Sequence, residues 1–181
     1  GTRGIEGIIN VIRFAREKKI PYLGLCYGMQ LAAIEFARNV LGLADAHTVE
    51  CDPSTKNPII HINPNQAANI EHKSYGGTMR LGAYDCDLAA RSKVRKLYKQ
   101  DKISERHRHR YEFNNVYREQ MEKAGMRIVG INQETDLVEI IELEKHPYFV
   151  GTQFHPEFKS RPLHPHPLFV GLVKAALGKK K

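Results

Sequence analysis

Pro21-Tyr22-Leu23-Gly24-Leu25-Cys26-Tyr27-Gly28-Met29-Gln30 decides how this chain folds. The apolar residues 21–25 read as a short buried strand. Residues 28–40, with Gly42 near their stop, read as the helix that follows. Cys26 stands on the corner between them. A strand-to-helix corner holds a side chain out of the sheet and near the positive end of the helix. Both effects favour an exposed thiolate, the form that attacks carbonyl carbons.

Far downstream, Phe154-His155-Pro156-Glu157-Phe158 sets a histidine and a carboxylate at the end of a second apolar run, residues 148–154. Ligands of α/β sheets bind beyond the carboxyl ends of the strands. If the two strands are neighbours, thiol, imidazole and carboxylate meet at one edge as nucleophile, base and orienter. Alone, each has a plainer reading: Cys26 as a packing residue, His155 as a surface histidine, Glu157 as a solvated charge. Their joint position at strand ends favours catalysis.

Around these two segments the pattern alternates. Residues 5–18 carry a helical stripe of Ile5, Ile8, Ile9, Ile12 and Ala15 that ends in basic residues. Residues 58–62 read as a strand, 63–77 as a polar loop and 78–84 as a further strand. A helix over 116–124 stops at Gly125, and strands follow over 126–131 and 137–143, paired as a hairpin across 132–136. A last helix covers 167–177. The expected fold is α/β, a mixed sheet with helices on its faces.

With 181 residues, the chain fits one domain able to bury a core. It is 41% hydrophobic and 27% charged, an ordinary globular balance, and no stretch approaches the roughly 20 apolar residues of a membrane span. No charged-then-apolar leader is read in its first residues, so secretion is not expected. The three cysteines, Cys26, Cys51 and Cys86, are too few and too scattered for a disulfide framework, which favours a reducing, cytoplasmic setting. The net charge of +8 comes partly from Lys179-Lys180-Lys181 and from Arg106-His107-Arg108-His109-Arg110. Without interleaved aromatics or a nucleic-acid module, these read as a solvated tail and a locally basic site, so no nucleic-acid partner is expected. His107 and His109 lack a cysteine pair at zinc spacing, so no metal is expected.

Gly24-Leu25-Cys26-Tyr27-Gly28-Met29-Gln30 with His155-Pro156-Glu157 resembles the class I (triad) glutamine amidotransferases. Arg3-Gly4-Ile5-Glu6-Gly7, Gly76-Gly77-Thr78-Met79-Arg80-Leu81-Gly82, the segment Glu105-Arg106-His107-Arg108-His109-Arg110-Tyr111-Glu112 and His146-Pro147-Tyr148-Phe149-Val150 narrow the resemblance to the glutaminase domains of the CTP synthase family. It implies a flavodoxin-like domain with a mixed, mostly parallel central sheet flanked by helices. It further implies that Cys26 attacks the side-chain amide of L-glutamine, with His155 as general base and Glu157 holding the imidazole. Tyr27, Gly28, Met29 and Gln30 are implied as the substrate-binding stretch, with the Tyr27 backbone N–H donating to the oxyanion. Glu50 is implied to face the substrate ammonium and Arg110 its α-carboxylate. Arg3, Gly4 and Glu6 match the segment linked to activation by GTP, and residues 76–82 match a mobile lid.

The resemblance also implies that this domain needs no cofactor of its own. Ammonia would pass to a synthetase domain of the same polypeptide that uses ATP and Mg, the full enzyme being a homo-tetramer. No G-x-x-x-x-G-K-[ST] sequence is present, so the synthetase half is not expected in this chain. Gly1 matches the last glycine of the family's glycine-rich motif. Residues 1–181 therefore read as a single, N-terminally truncated domain that lacks the second oxyanion donor and is weakly active. Two other classes stay open: a thiol hydrolase or peptidase using the same triad, and a non-catalytic regulatory module.

Overall fold

The computed structural model describes residues 3–62 and 79–178. Helix α1 (Ile5–Lys18) leads into strand β1 (Tyr22–Leu25) and helix α2 (Tyr27–Asn39). Strands β2 (His47–Thr48), β3 (Pro58–Ile62) and β4 (Arg80–Leu88) follow, then α3 (Lys93–Tyr98), β5 (Lys102–His109) and β6 (Tyr111–Phe113). A 3₁₀ turn at Asn115–Tyr117 opens into α4 (Arg118–Lys123). The chain continues through β7 (Met126–Asn132), β8 (Leu137–Leu143), β9 (Phe149–Thr152), a 3₁₀ turn at Pro156–Phe158 and α5 (Pro167–Ala176).

The main sheet runs β1-β9-β8-β7-β4-β5, and a smaller one runs β2-β3-β6. This is the expected mixed α/β arrangement, with one correction. Only β1 and β9 run parallel in the main sheet, and every other neighbouring pair is antiparallel. The sheet is therefore not mostly parallel among the described residues. Short connections such as the β7–β8 hairpin join antiparallel neighbours, whereas a parallel pair needs a crossover. The β1–β9 pair is joined through residues 26–148, about two thirds of the chain.

Alternation along the central strands divides the core. Ile128, Ile141 and Phe149 join α1 and α2 on one face, while Val129, Ile140 and Val150 join residues of α3 and α5 on the other. On α2, Glu35 is wholly buried, and Arg16 of α1 pairs with it at 2.8 Å. Removing Arg16 would leave the buried Glu35 charge without its ion-pair partner, which costs about 3–5 kcal/mol.

The sheet also curls. Past β9 the His155 N–H donates to the Arg106 carbonyl at 2.8 Å, so β5, last in strand order, returns to the end of β9. That closure places the tail of β9 beside β1 on one side and β5 on the other.

Two local expectations change. The loop over 63–77 lies outside the described residues, as does most of the segment matched to a lid. Its end belongs to β4: Arg80, Leu81 and Gly82 pair with His109, Arg108 and His107, and Arg80 is buried. Finally, the basic run 106–110 is mostly strand, with His107 and His109 buried inward and Arg106, Arg108 and Arg110 exposed.

Candidate active site

The corner at Cys26 is tight because two glycines allow it. A Cβ on Gly24 would stand 2.5 Å from the Tyr22 hydroxyl and 2.7 Å from the Gly28 carbonyl carbon. Without one, the first turn of α2 settles onto β1, and the Tyr22 hydroxyl donates to the Gly28 carbonyl at 2.8 Å. Cys26 itself takes φ 49° and ψ −100°. Such a backbone costs a non-glycine residue about 1–3 kcal/mol and persists only where its surroundings hold it. Here the Cys26 N–H donates to Thr152 at 2.7 Å, and the Cys26 carbonyl accepts from the Gln30 N–H at 3.2 Å.

The β1–β9 register ends with Leu25 opposite Thr152. Cys26 and His155 therefore leave the carboxyl ends of adjacent parallel strands. The Glu157 carboxylate accepts from the His155 Nδ1 at 2.6 Å, which fixes the ring tautomer. Phe158 stacks on the imidazole, with ring centroids 5.1 Å apart. The other ring nitrogen, Nε2, is buried and has no hydrogen-bond partner among the described residues. The ring is thus oriented with Nε2 free to take a proton, although no hydrogen bond joins it to the Cys26 sulfur in this structure.

The thiol departs from the sequence expectation. Cys26 is half-buried, and burial pushes its pKa up from 9.0 to about 11, with Glu112 and Glu157 adding to the rise. The Tyr27 backbone N–H and the Gln153 side-chain amide hold it down, but desolvation outweighs them. At neutral pH the resting group is a thiol, not an exposed thiolate. Its proton has to leave as the sulfur attacks.

The stretch after the nucleophile divides. Tyr27 and Gly28 are half-buried at the corner, whereas the Met29 side chain is fully buried in the core. Gln30 is buried, and its amide Nε2 donates to the Tyr111 carbonyl at 2.9 Å and to Gln153 Oε1 at 3.2 Å. Glu50 follows β2 and Arg110 sits between β5 and β6, both exposed. Both act on one phenol: Tyr111, raised chiefly by burial, is raised further by Glu50 and lowered by Arg110. Opposite charges therefore flank one side chain, which suits a zwitterionic ligand. Toward α1, Glu6 pairs with Arg38 at 2.9 Å, Arg3 is exposed, and Gly4 caps the helix at φ 74°.

Sequence reading missed Gln153 and a charged cluster behind the site. Arg80 forms an ion pair with Glu139 at 2.5 Å. His107 Nδ1 and His109 Nε2 lie 2.9 Å apart, and His109 is 3.4 Å from Glu112. Arg80 also stacks over Tyr84, 4.3 Å from its ring centroid. Burial pushes Glu112 up to about 8 and pulls His107 and His109 down to about 2 and 3. The strict alternation through residues 102–109 was the available signal. Among the described residues no group of three or more His, Cys, Asp or Glu side chains is arranged to hold a metal ion.

The model of the glutamine amidotransferase class-I family matches residues 1–175. The chain is 59% identical over 180 residues to a CTP synthase of Caldanaerobacter subterraneus, covering 99% of this chain and 33% of that protein. It is 58% identical over 176 residues to a CTP synthase of Christiangramia forsetii, covering 97% of this chain and 32% of that one. The chain thus spans about a third of the length of the curated relatives it matches. Among solved structures, the glutaminase domain of a Trypanosoma brucei CTP synthase, with bound acivicin, superposes with a TM-score of 0.91 at 36% identity. That match covers 100% of this chain and 69% of the other. A glutamine amidotransferase of Thermotoga maritima, 17% identical, shares the fold alone at a TM-score of 0.51, over 84% of this chain and 47% of its own. A cysteine on a strained strand-to-helix corner, beside the strand that leads to a carboxylate-held histidine, is thus found in a chain that belongs to the class-I glutamine amidotransferases.

Proposed function

We propose that this chain is the glutaminase region of a CTP synthase and hydrolyses L-glutamine through a thioester on Cys26. The observation that carries the reading is the β1–β9 register, from whose adjacent ends Cys26 and the Glu157-held His155 emerge. Cys26 gives its proton to His155 Nε2 as sulfur bonds to the amide carbon, and the Tyr27 N–H donates to the oxyanion. His155 then returns that proton to the leaving nitrogen, the C–N bond breaks, and ammonia departs from a γ-glutamyl thioester. Water, losing its proton to His155, attacks the thioester. The C–S bond breaks, sulfur recovers the proton, and glutamate leaves. Glu157 stabilises the imidazolium at each stage.

Glu50 and Arg110 bind the two charges of the amino acid backbone, and the grouping of both around Tyr111 supports that role. The relatives named CTP synthase support the destination of the ammonia: a synthetase domain of the full-length polypeptide, which uses ATP and Mg to prepare UTP for amination to CTP. A tetrameric, cytoplasmic enzyme, activated by GTP through the segment holding Arg3, Gly4 and Glu6, belongs to the same proposal.

Cys26→Ala in the full-length enzyme tests it. Glutamine-dependent CTP formation should disappear while ammonia-dependent formation remains. Glutamine hydrolysis that survives the substitution would remove Cys26 from the chemistry, and peptide cleavage without glutaminase activity would favour a thiol peptidase.

A further inference from the structure

Gln153, the first residue beyond β9, is fully buried, and its amide Nε2 donates to the Cys26 sulfur at 3.7 Å. Its orientation is not free. Gln30 Nε2 donates to the Tyr111 carbonyl at 2.9 Å, which fixes the nitrogen side of the Gln30 amide. The same Nε2 reaches Gln153 at 3.2 Å, so the Gln153 oxygen faces Gln30 and its N–H faces the sulfur. The lock spans three elements: β6 holds Gln30, on α2, which holds Gln153 against Cys26. Backbone contacts secure each end, since the Gln153 N–H donates to Glu139 on β8 at 2.8 Å.

We propose that Gln153 is a further catalytic residue, whose locked side-chain amide stabilises negative charge on the Cys26 sulfur. The inference rests on Cys26 being the nucleophile. A neutral thiol accepts a hydrogen bond weakly, whereas a thiolate accepts a charge-assisted one. The amide therefore favours the sulfur as it loses its proton to His155, and again when the thioester C–S bond breaks and sulfur becomes the leaving group. In a site where burial opposes the thiolate, a fixed donor acts without reorganisation. The charged groups that bear on the sulfur, Glu112 from β6 and Glu157 after β9, both oppose its ionisation.

The test is the pH dependence of Cys26 alkylation by iodoacetamide, with the modified cysteine identified by mass spectrometry and glutamine hydrolysis measured alongside. Gln153→Met, which keeps length and removes the donor, should shift the alkylation profile to higher pH. The rate at pH 8 should fall about tenfold, the effect of losing one hydrogen bond to a charged group. Should that variant fail to fold, Gln153→Leu also removes the donor without adding a charge and should shift the profile the same way. A profile unchanged in a folded variant overturns the proposal and leaves Gln153 a packing residue. A shifted profile, with no glutamine hydrolysis even in the unsubstituted protein, sustains the contact and overturns the glutaminase reading instead.

Discussion

The two halves of the main sheet solve opposite physical problems. Strands β1, β9, β8 and β7 are packed mostly by aliphatic and aromatic side chains, with the buried Glu139 and Glu142 of β8 as exceptions. Their burial is driven chiefly by the hydrophobic effect. Strands β4 and β5, with β6 beside them, turn Arg80, Glu105, His107, His109 and Glu112 inward. There burial opposes charge, and the cost is offset by pairing, as between Arg80 and Glu139, or by neutralisation, as in the two histidines. The nucleophile emerges from the first half, and the carboxylates that oppose its ionisation include Glu112 from the second. The apolar half positions the nucleophile, while the polar half adds Glu112 to the burial and the Glu157 charge that oppose its ionisation.

That division can be broken at the site itself. His155→Ala removes the base positioned by the apolar half and should lower kcat for glutamine hydrolysis by about 100- to 10,000-fold, read in a steady-state assay. A loss below tenfold would mean that another group takes the proton. Arg110→Ala, on the exposed side of the polar half, should raise the glutamine KM about tenfold with kcat nearly unchanged. A fall confined to kcat would remove it from substrate binding.

The interior of the polar half should reveal itself through pH. Glu112 is raised by burial to about 8, so its folded state keeps a proton that the unfolded state releases near 4.5. Its contribution to stability is complete below pH 4.5 and is lost as pH rises through about 8. The slope is at most about 1.4 kcal/mol per pH unit. His107 and His109 act oppositely: held neutral in the fold, they cost stability as pH falls below their ordinary 6.5. Glu112→Gln should therefore flatten the loss between pH 5 and 8 in denaturant unfolding without altering the acid side. An unchanged alkaline slope would show that Glu112 is ionised in the fold.

The same division explains what could be read in the sequence. Residues 5–18, 58–62 and 137–143 match their elements because apolar periodicity reports burial directly. Cys26 and His155 were legible as strand-end residues, and the register supplied what spacing could not, namely that their strands are neighbours. Strand β5 escaped because its inward residues are Glu105, His107 and His109, which carry no hydropathy signal. The alternation was present, but in charge and ring rather than in apolar side chains. The thiol's raised pKa was hidden for a related reason. The helix terminus beside Cys26 is visible in sequence, whereas the depth of burial that overrides it depends on chains folded in from β6 and β9.

The central claim is that Cys26 forms the bond to glutamine. Acid quenching during turnover, followed by peptide mass spectrometry, tests it most directly. A γ-glutamyl thioester should be found on the peptide containing Cys26, and it should be absent from Cys51 and Cys86. Glutamine turnover with no adduct on Cys26, or with the adduct on either of the other cysteines, would contradict the account.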